Sequence, residues 1–195
     1  MMPLVLASTS PFRRDLLARL RLPFVTAAPD VDETRRPGEP ADALVQRLAE
    51  AKARAVAPAH PGALIIGSDQ VACLGETILG KPGDRAGAIA QLEQASGRTV
   101  SFLTGLCLLD AAQGSCRVLC EPFRVHFRTL THAQIEAYVD LEEPFNSAGS
   151  IRSEGLGIAL FERLEGEDPA ALIGLPLIRL TGLLGEAGVD VLAAR

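Results

Sequence analysis

Apolar runs of strand length alternate along this chain with segments of helical periodicity, and that order of elements leaves few folds open. Pro3–Ala7 reads as a short buried strand. Ser10 is a good N-cap and Pro11 suits the first helical position, so a helix follows at once. Phe24–Ala28 reads as a second strand. A helix then runs from about Pro40 to Val56, with Leu44, Leu48, Ala51 and Ala55 at helical spacing. Ala63–Gly67 is a compact apolar strand that ends in Ser68-Asp69-Gln70, and a short hairpin turns near Gly75-Glu76. Asp84–Ala95 is helical, with Ile89 and Leu92 facing inward. Val100–Leu109 and Arg117–Arg128 are long strands joined by residues 111–114. The second of these alternates Phe123, Val125 and Phe127 with Arg124, His126 and Arg128, which makes His126 a solvated strand residue. Thr131 and Gln134 form a capping box for a helix to about Leu141. A glycine-rich stretch covers Gly149–Gly157, and Gly174-Leu-Pro176 leads into a last helix ending near Gly188. No repeat, linker or low-complexity segment interrupts the series. The expectation is a single α/β domain over residues 1–195, with a central mixed, twisted β-sheet flanked by helices.

Composition narrows the function classes. The net charge of −5 argues against a general nucleic-acid surface, so any basic cluster suits a small anion. No apolar run approaches the roughly 20 residues of a membrane helix, and the N-terminus lacks the pattern of a signal peptide, which points to the cytoplasm. Cys73, Cys107, Cys116 and Cys120 form no Cys-x-x-Cys pair, and no histidine lies at zinc-finger spacing. His60 lies in a proline-rich loop and His132 in the first turn of a helix, so a histidine-based triad is disfavoured. A Gly-x-x-x-x-Gly-Lys-Ser/Thr loop does not occur, which excludes a P-loop nucleotidase.

Polar residues collect at the element ends. The turn Ser8–Arg14 directs backbone N–H groups, hydroxyls and two guanidinium groups to one spot. It is either an anion site or an ordinary strand–helix junction with solvated arginines. Lys52 lies four residues after Leu48, on or beside an inward helix face. An ammonium there needs an anionic partner, or else its stem carries it to the surface. Glu33 and Asp69 supply carboxylates suited to a hard divalent cation, and Lys81 supplies a further cation. Together with Ser8 and Arg13 this set suits attack of water on a polyphosphate.

The strings LASTSPFRRDLL (6–17), APDVDET (28–34), LAEAKA (48–53), LIIGSDQV (64–71), GKP (80–82), SEGLGIALFERLEG (153–166) and IGLPL (173–177) resemble the Maf family of nucleoside triphosphate pyrophosphatases in order and spacing. The resemblance implies a fold shared with inosine-triphosphate pyrophosphatases. It also implies hydrolysis of a nucleoside triphosphate to the monophosphate and pyrophosphate with a divalent cation (Mg²⁺, Mn²⁺ or Co²⁺), in a possible homodimer. It assigns Asp69 as proton acceptor, Glu33 and Asp69 to metal, and Ser8, Arg13, Lys52 and Lys81 to phosphate. Arg14 drops out as a helix-surface neighbour.

Three further positions separate the family's substrate branches. Phe12, Gln70 and Glu154 resemble the aromatic–Gln–Glu set of the 7-methyl-GTP branch, with Phe in place of the usual Trp. The branch acting on dTTP and UTP has Arg, Thr and Gln there. Chemistry supports the choice. An aromatic face attracts a cationic methylated guanine, and a carboxylate accepts from its N1–H and exocyclic amine. Alone, Phe12 also fits a core stripe with Leu16 and Leu20. The alternatives are a dTTP/UTP pyrophosphatase, or a nucleotide-binding regulator of cell division.

Overall fold

A computed structural model of the protein describes residues 2–193. The elements are β1 (Leu4–Ala7), α1 (Pro11–Ala18), β2 (Val25–Ala27), α2 (Ala41–Val56), β3 (Leu64–Leu74) and β4 (Thr77–Leu79). After them come α3 (Arg85–Ala95), β5 (Thr99–Asp110), β6 (Cys116–Phe127), α4 (His132–Glu142), β7 (Phe161–Gly166) and α5 (Leu177–Glu186). The fold is mixed α/β, with a seven-stranded sheet in the order β2-β1-β3-β5-β6-β7 and β4 paired to β3. β1 is parallel to both β2 and β3, whereas the β3–β4 and β6–β7 pairs are antiparallel.

The chain divides into two compact units, and β3, β5 and β6 each contribute residues to both. The first comprises Met1–Asp69, Thr104–Glu121 and Asp168–Arg195. Its central strands β1 and β3, which run parallel, are buried on both faces, as parallel strands between helices require, whereas β2 at the edge is largely exposed. Leu4 and Leu6 of β1, Leu64 and Ile66 of β3, and Leu106 and Leu108 of β5 pack with Leu16, Leu17, Leu180 and Leu184 of α1 and α5. The alternate residues Val5, Ala7, Ile65, Cys107 and Leu109 pack with Ala49, Ala53 and Val56 of α2.

Two glycines set the seat of α2. A Cβ at Gly67 would run into the Ala49 carbonyl, and one at Gly105 into the Val45 carbonyl. The helix backbone therefore rests directly on the sheet. The inward face of α2 is Leu44, Val45, Leu48, Ala49, Lys52, Ala53 and Val56. The expected face is corrected at two positions, since Ala51 is half-buried and Ala55 exposed. Gly67→Ala is expected to cost about 1–3 kcal/mol by overpacking. A thermal midpoint equal to wild type would show that α2 tolerates a cushion there.

The second unit comprises Gln70–Leu103 and Pro122–Glu167. Its stretches of β5 and β6 follow the one-sided alternation of a sheet with a solvated face. Val100, Phe102, Phe123, Val125 and Phe127 are buried, while Arg124 is exposed. Phe127 meets Phe161 edge-on at 5.6 Å. Thr131 and Gln134 form the expected capping box on α4.

One strand is longer than expected. β3 does not stop at Gly67 but continues to Leu74. Pairing with β1 ends at Ala7–Gly67, and Ala72–Leu74 then pair with β4. The polar Ser68-Asp69-Gln70 interruption marks the loss of a parallel neighbour and not the end of a strand. Asp69 thus lies just past the carboxyl end of β1, where open α/β sheets place their chemistry.

Candidate active site

Strand alternation decides which side chains meet. Asp69 has the same parity as Ile65 and Gly67 and faces α2. Ser68 has the parity of Leu64 and Ile66 and faces the α1 and α5 side. On the α2 side, Lys52 Nζ lies 2.6 Å from Asp69 Oδ1 and 2.7 Å from Glu33 Oε1. Lys52 and Asp69 are buried, while the Glu33 side chain is 58% exposed. Of the two possibilities for Lys52, the structure takes the buried ammonium with anionic partners.

The turn after β1 is shaped by its own hydroxyls. The Ser10 N–H donates to Ser8 Oγ at 3.1 Å, and the Arg13 N–H to Ser10 Oγ at 3.4 Å. Ser8 is buried. Arg13 Nε donates to the Gly174 carbonyl at 2.9 Å. Burial lowers the pKa of the Arg13 guanidinium, and the charges of Asp69 and then Glu33 oppose that shift. Two cations and two carboxylates therefore share this region of the first unit. Arg14 instead pairs with Asp15 in solvent at 3.1 Å. Phe12 is half-buried and is not among the side chains packed with Leu16, Leu17 and Leu20.

The loop carrying Glu33 is pinned by Arg47 of α2, a residue the sequence reading missed. Its guanidinium grips Glu39 at 2.6 and 2.8 Å and donates to the Thr34 carbonyl at 3.1 Å. Arg47 holds the Glu39 carboxyl down at about 2, from an ordinary value of 4.5. A depressed carboxylate stabilises the fold above its unfolded pKa and loses that contribution as pH falls towards the folded one. The gap in thermal midpoint between wild type and Arg47→Ala is expected to close as pH drops from 4.5 towards about 2. A gap that stayed constant would exclude the pair as its source.

Gln70, Lys81 and Glu154 belong to the second unit. Gln70 is half-buried on β3, and Lys81 is exposed just after β4. The Gly80 carbonyl beside Lys81 accepts from Gln91 Nε2 at 3.0 Å, and Gln91 Oε1 accepts from Ser150 Oγ at 2.7 Å. Glu142, the last residue of α4, shapes the turn around the exposed Glu154. Its carboxylate accepts from the Leu156 N–H at 2.6 Å, and a Cβ on Gly155 would crowd both its oxygens. Arg152 Nε lies 3.9 Å from Glu154 Oε1. His126 is not simply solvated, which corrects the expectation. Its ring bridges Thr99 Oγ1 at 2.9 Å and Glu165 Oε2 at 3.1 Å, because the flanking strands bring polar partners to the same face.

Among the described residues, no group of three or more His, Cys, Asp and Glu gathers to hold a metal. The Asp69 and Glu33 carboxylates, drawn to one ammonium, still fit a hard cation of the Mg²⁺ class. Such a cation needs few protein oxygens and completes its shell with water and phosphate oxygens. Also among the described residues, no helix is long and apolar enough to cross a membrane.

Residues 3–187 match the family described as Maf-like protein. The chain belongs to the Maf family. Similar curated proteins named 7-methyl-GTP pyrophosphatase span nearly the same length as this Maf chain. The relative from Alcanivorax borkumensis is 61% identical, covering 96% of this chain and 95% of its own. The one from Nitrosococcus oceani is 59% identical, with 97% and 95% covered. The one from Pseudomonas aeruginosa is 55% identical, with 96% and 98% covered. A solved structure, the Ham1 protein of Staphylococcus aureus, aligns with 96% of this chain and 100% of its own at 14% identity, with a TM-score of 0.49.

Proposed function

We propose that this chain, acting as one catalytic domain, hydrolyses 7-methyl-GTP to 7-methyl-GMP and pyrophosphate. The observation that carries the reading is the Lys52 ammonium held between Asp69 and Glu33, with Arg13 beside them. The names of relatives sharing more than half of its residues supply the substrate.

Asp69 orients and deprotonates the water that attacks the α-phosphorus, and the O–P bond to pyrophosphate breaks. The Lys52 ammonium, 2.6 Å away, holds the Asp69 carboxylate in its buried place. Arg13, Lys52 and Lys81 stabilise charge developing on the phosphate oxygens, and Ser8 adds a hydroxyl contact. A divalent cation held by Glu33 and Asp69 would polarise the phosphate and neutralise the leaving pyrophosphate. Phe12, Gln70 and Glu154 are assigned to the base: the ring stacks on the cationic purine, and the carboxylate accepts from its N1–H and amine. The same reading sets the enzyme in the cytoplasm, where the nucleotide pool lies, as a homodimer.

A pyrophosphate-release assay on 7-methyl-GTP, dTTP and UTP tests the proposal. Turnover of 7-methyl-GTP is expected to dominate. Glu154→Gln is expected to lower its kcat/KM by about tenfold or more while leaving the pyrimidine nucleotides unaffected. Dominant dTTP or UTP turnover would move the chain to the pyrimidine branch. Tight binding without turnover in Mg²⁺, Mn²⁺ or Co²⁺ would make it a regulator.

A further inference from the structure

We infer that Ser68 and the Gly174 carbonyl are positioning groups that hold Arg13 in place for the triphosphate; the inference rests on the function proposed above. The Gly174 carbonyl accepts two hydrogen bonds of 2.9 Å, one from Arg13 Nε and one from Ser68 Oγ. A carbonyl has two lone pairs, so the two donors satisfy it fully. The bond fixes the plane of the guanidinium through Nε. Because it uses Nε, the bond does not involve the terminal amino groups, which are the fork that grips a phosphate.

The carbonyl itself is rigidly held. Gly174 adopts φ 124° and ψ 8°, a backbone region that strains any residue with a side chain. Its N–H donates to the carbonyls of Ala170 and Ala171, closing the short 3₁₀ turn Pro169–Ile173. Thr104 Oγ1, fully buried on β5, donates to the Ala171 carbonyl at 2.9 Å. Asp168, also buried, caps the turn through Ala170 N–H at 3.1 Å and receives Ile178 N–H, in the first turn of α5, at 2.7 Å. The segment is thus braced at both ends.

Ser68 is fully buried and adjoins Asp69 on the same strand. Because neighbouring strand residues point to opposite faces, a single dipeptide serves two tasks. Asp69 engages Lys52 on one face, and Ser68 locks the Arg13 anchor on the other. The spacing between proton acceptor and phosphate clamp is thereby set by one stretch of β3. Ser68 touches no reacting atom in this scheme and acts only through Arg13.

A double-mutant cycle on kcat/KM tests this. Ser68→Ala is expected to lower kcat/KM for 7-methyl-GTP about tenfold in the wild-type background and to add no loss in the Arg13→Ala background. Equal losses in both backgrounds would mark Ser68 as merely structural, and no loss in the wild-type background would also overturn the proposal. Should Ser68→Ala fail to fold, Ser68→Cys, near-isosteric with a weaker donor, takes its place under the same criteria. The same cycle run on the affinity for inorganic tripolyphosphate, by calorimetry, needs no turnover. If wild type hydrolyses none of the nucleotides, the functional reading falls. Coupled losses in that binding cycle would still sustain the positioning role, and additive losses would end it.

Discussion

Asp69→Asn is expected to lower kcat/KM on 7-methyl-GTP by about 10²–10⁴-fold, the usual contribution of a positioned general base. The substitution is nearly isosteric. An amide oxygen can still accept from Lys52 Nζ, which lies 2.6 Å from Oδ1. The fold should therefore persist, with a thermal midpoint close to that of wild type. What disappears is the capacity to take a proton from water and one of two charges that draw a divalent cation. Retention of near-full turnover would remove Asp69 from the chemistry.

Lys52→Met is expected to strike stability as hard as activity. Removing one partner of a buried ion pair leaves an uncompensated charge, at a cost of about 3–5 kcal/mol. Here the stranded group is Asp69, buried against α2, while the largely exposed Glu33 can turn to water. Urea unfolding measures the loss. Combining Lys52→Met with Asp69→Asn should recover most of it, since no buried charge is then left. The double variant should stay inactive. If the single variant were as stable as wild type, the ammonium would have no role in offsetting the burial of the Asp69 carboxylate.

The two variants also show what was legible in the chain. Lys52 announced itself, because a lysine at a helical position four residues after Leu48 demands a partner or an escape to water. Its partners could only be guessed, since Glu33 and Asp69 lie far from it in sequence. The strand alternation of residues 123–127 and the capping box at Thr131 were readable because they are local. The end of β3 was not. Ser68-Asp69-Gln70 looks like a terminus to any argument from polarity, yet β4 returns to extend the ladder. His126 was misjudged for a related reason: its neighbours Thr99 and Glu165 come from other strands. Arg47 carried no usable signal, and Gly174 was legible only as the glycine before the last helix. One is an ordinary surface arginine by spacing, and the other a loop glycine whose meaning lies in its carbonyl. Phe12 stands between these cases, since helical spacing placed it in a core stripe that the packed cluster around Leu16 does not include.

The glycines under α2 have a consequence for how this protein tolerates change. Because Gly67 and Gly105 put the helix main chain against the sheet main chain, the height of Lys52 over Asp69 is a backbone dimension. Leucines, valines and alanines around it can be exchanged over generations, and the melting temperature will drift with them. The reach of the ammonium to the carboxylate will not. The chemistry is thereby insulated from the ordinary wear of core substitution, and the positions that guard it carry no side chain at all.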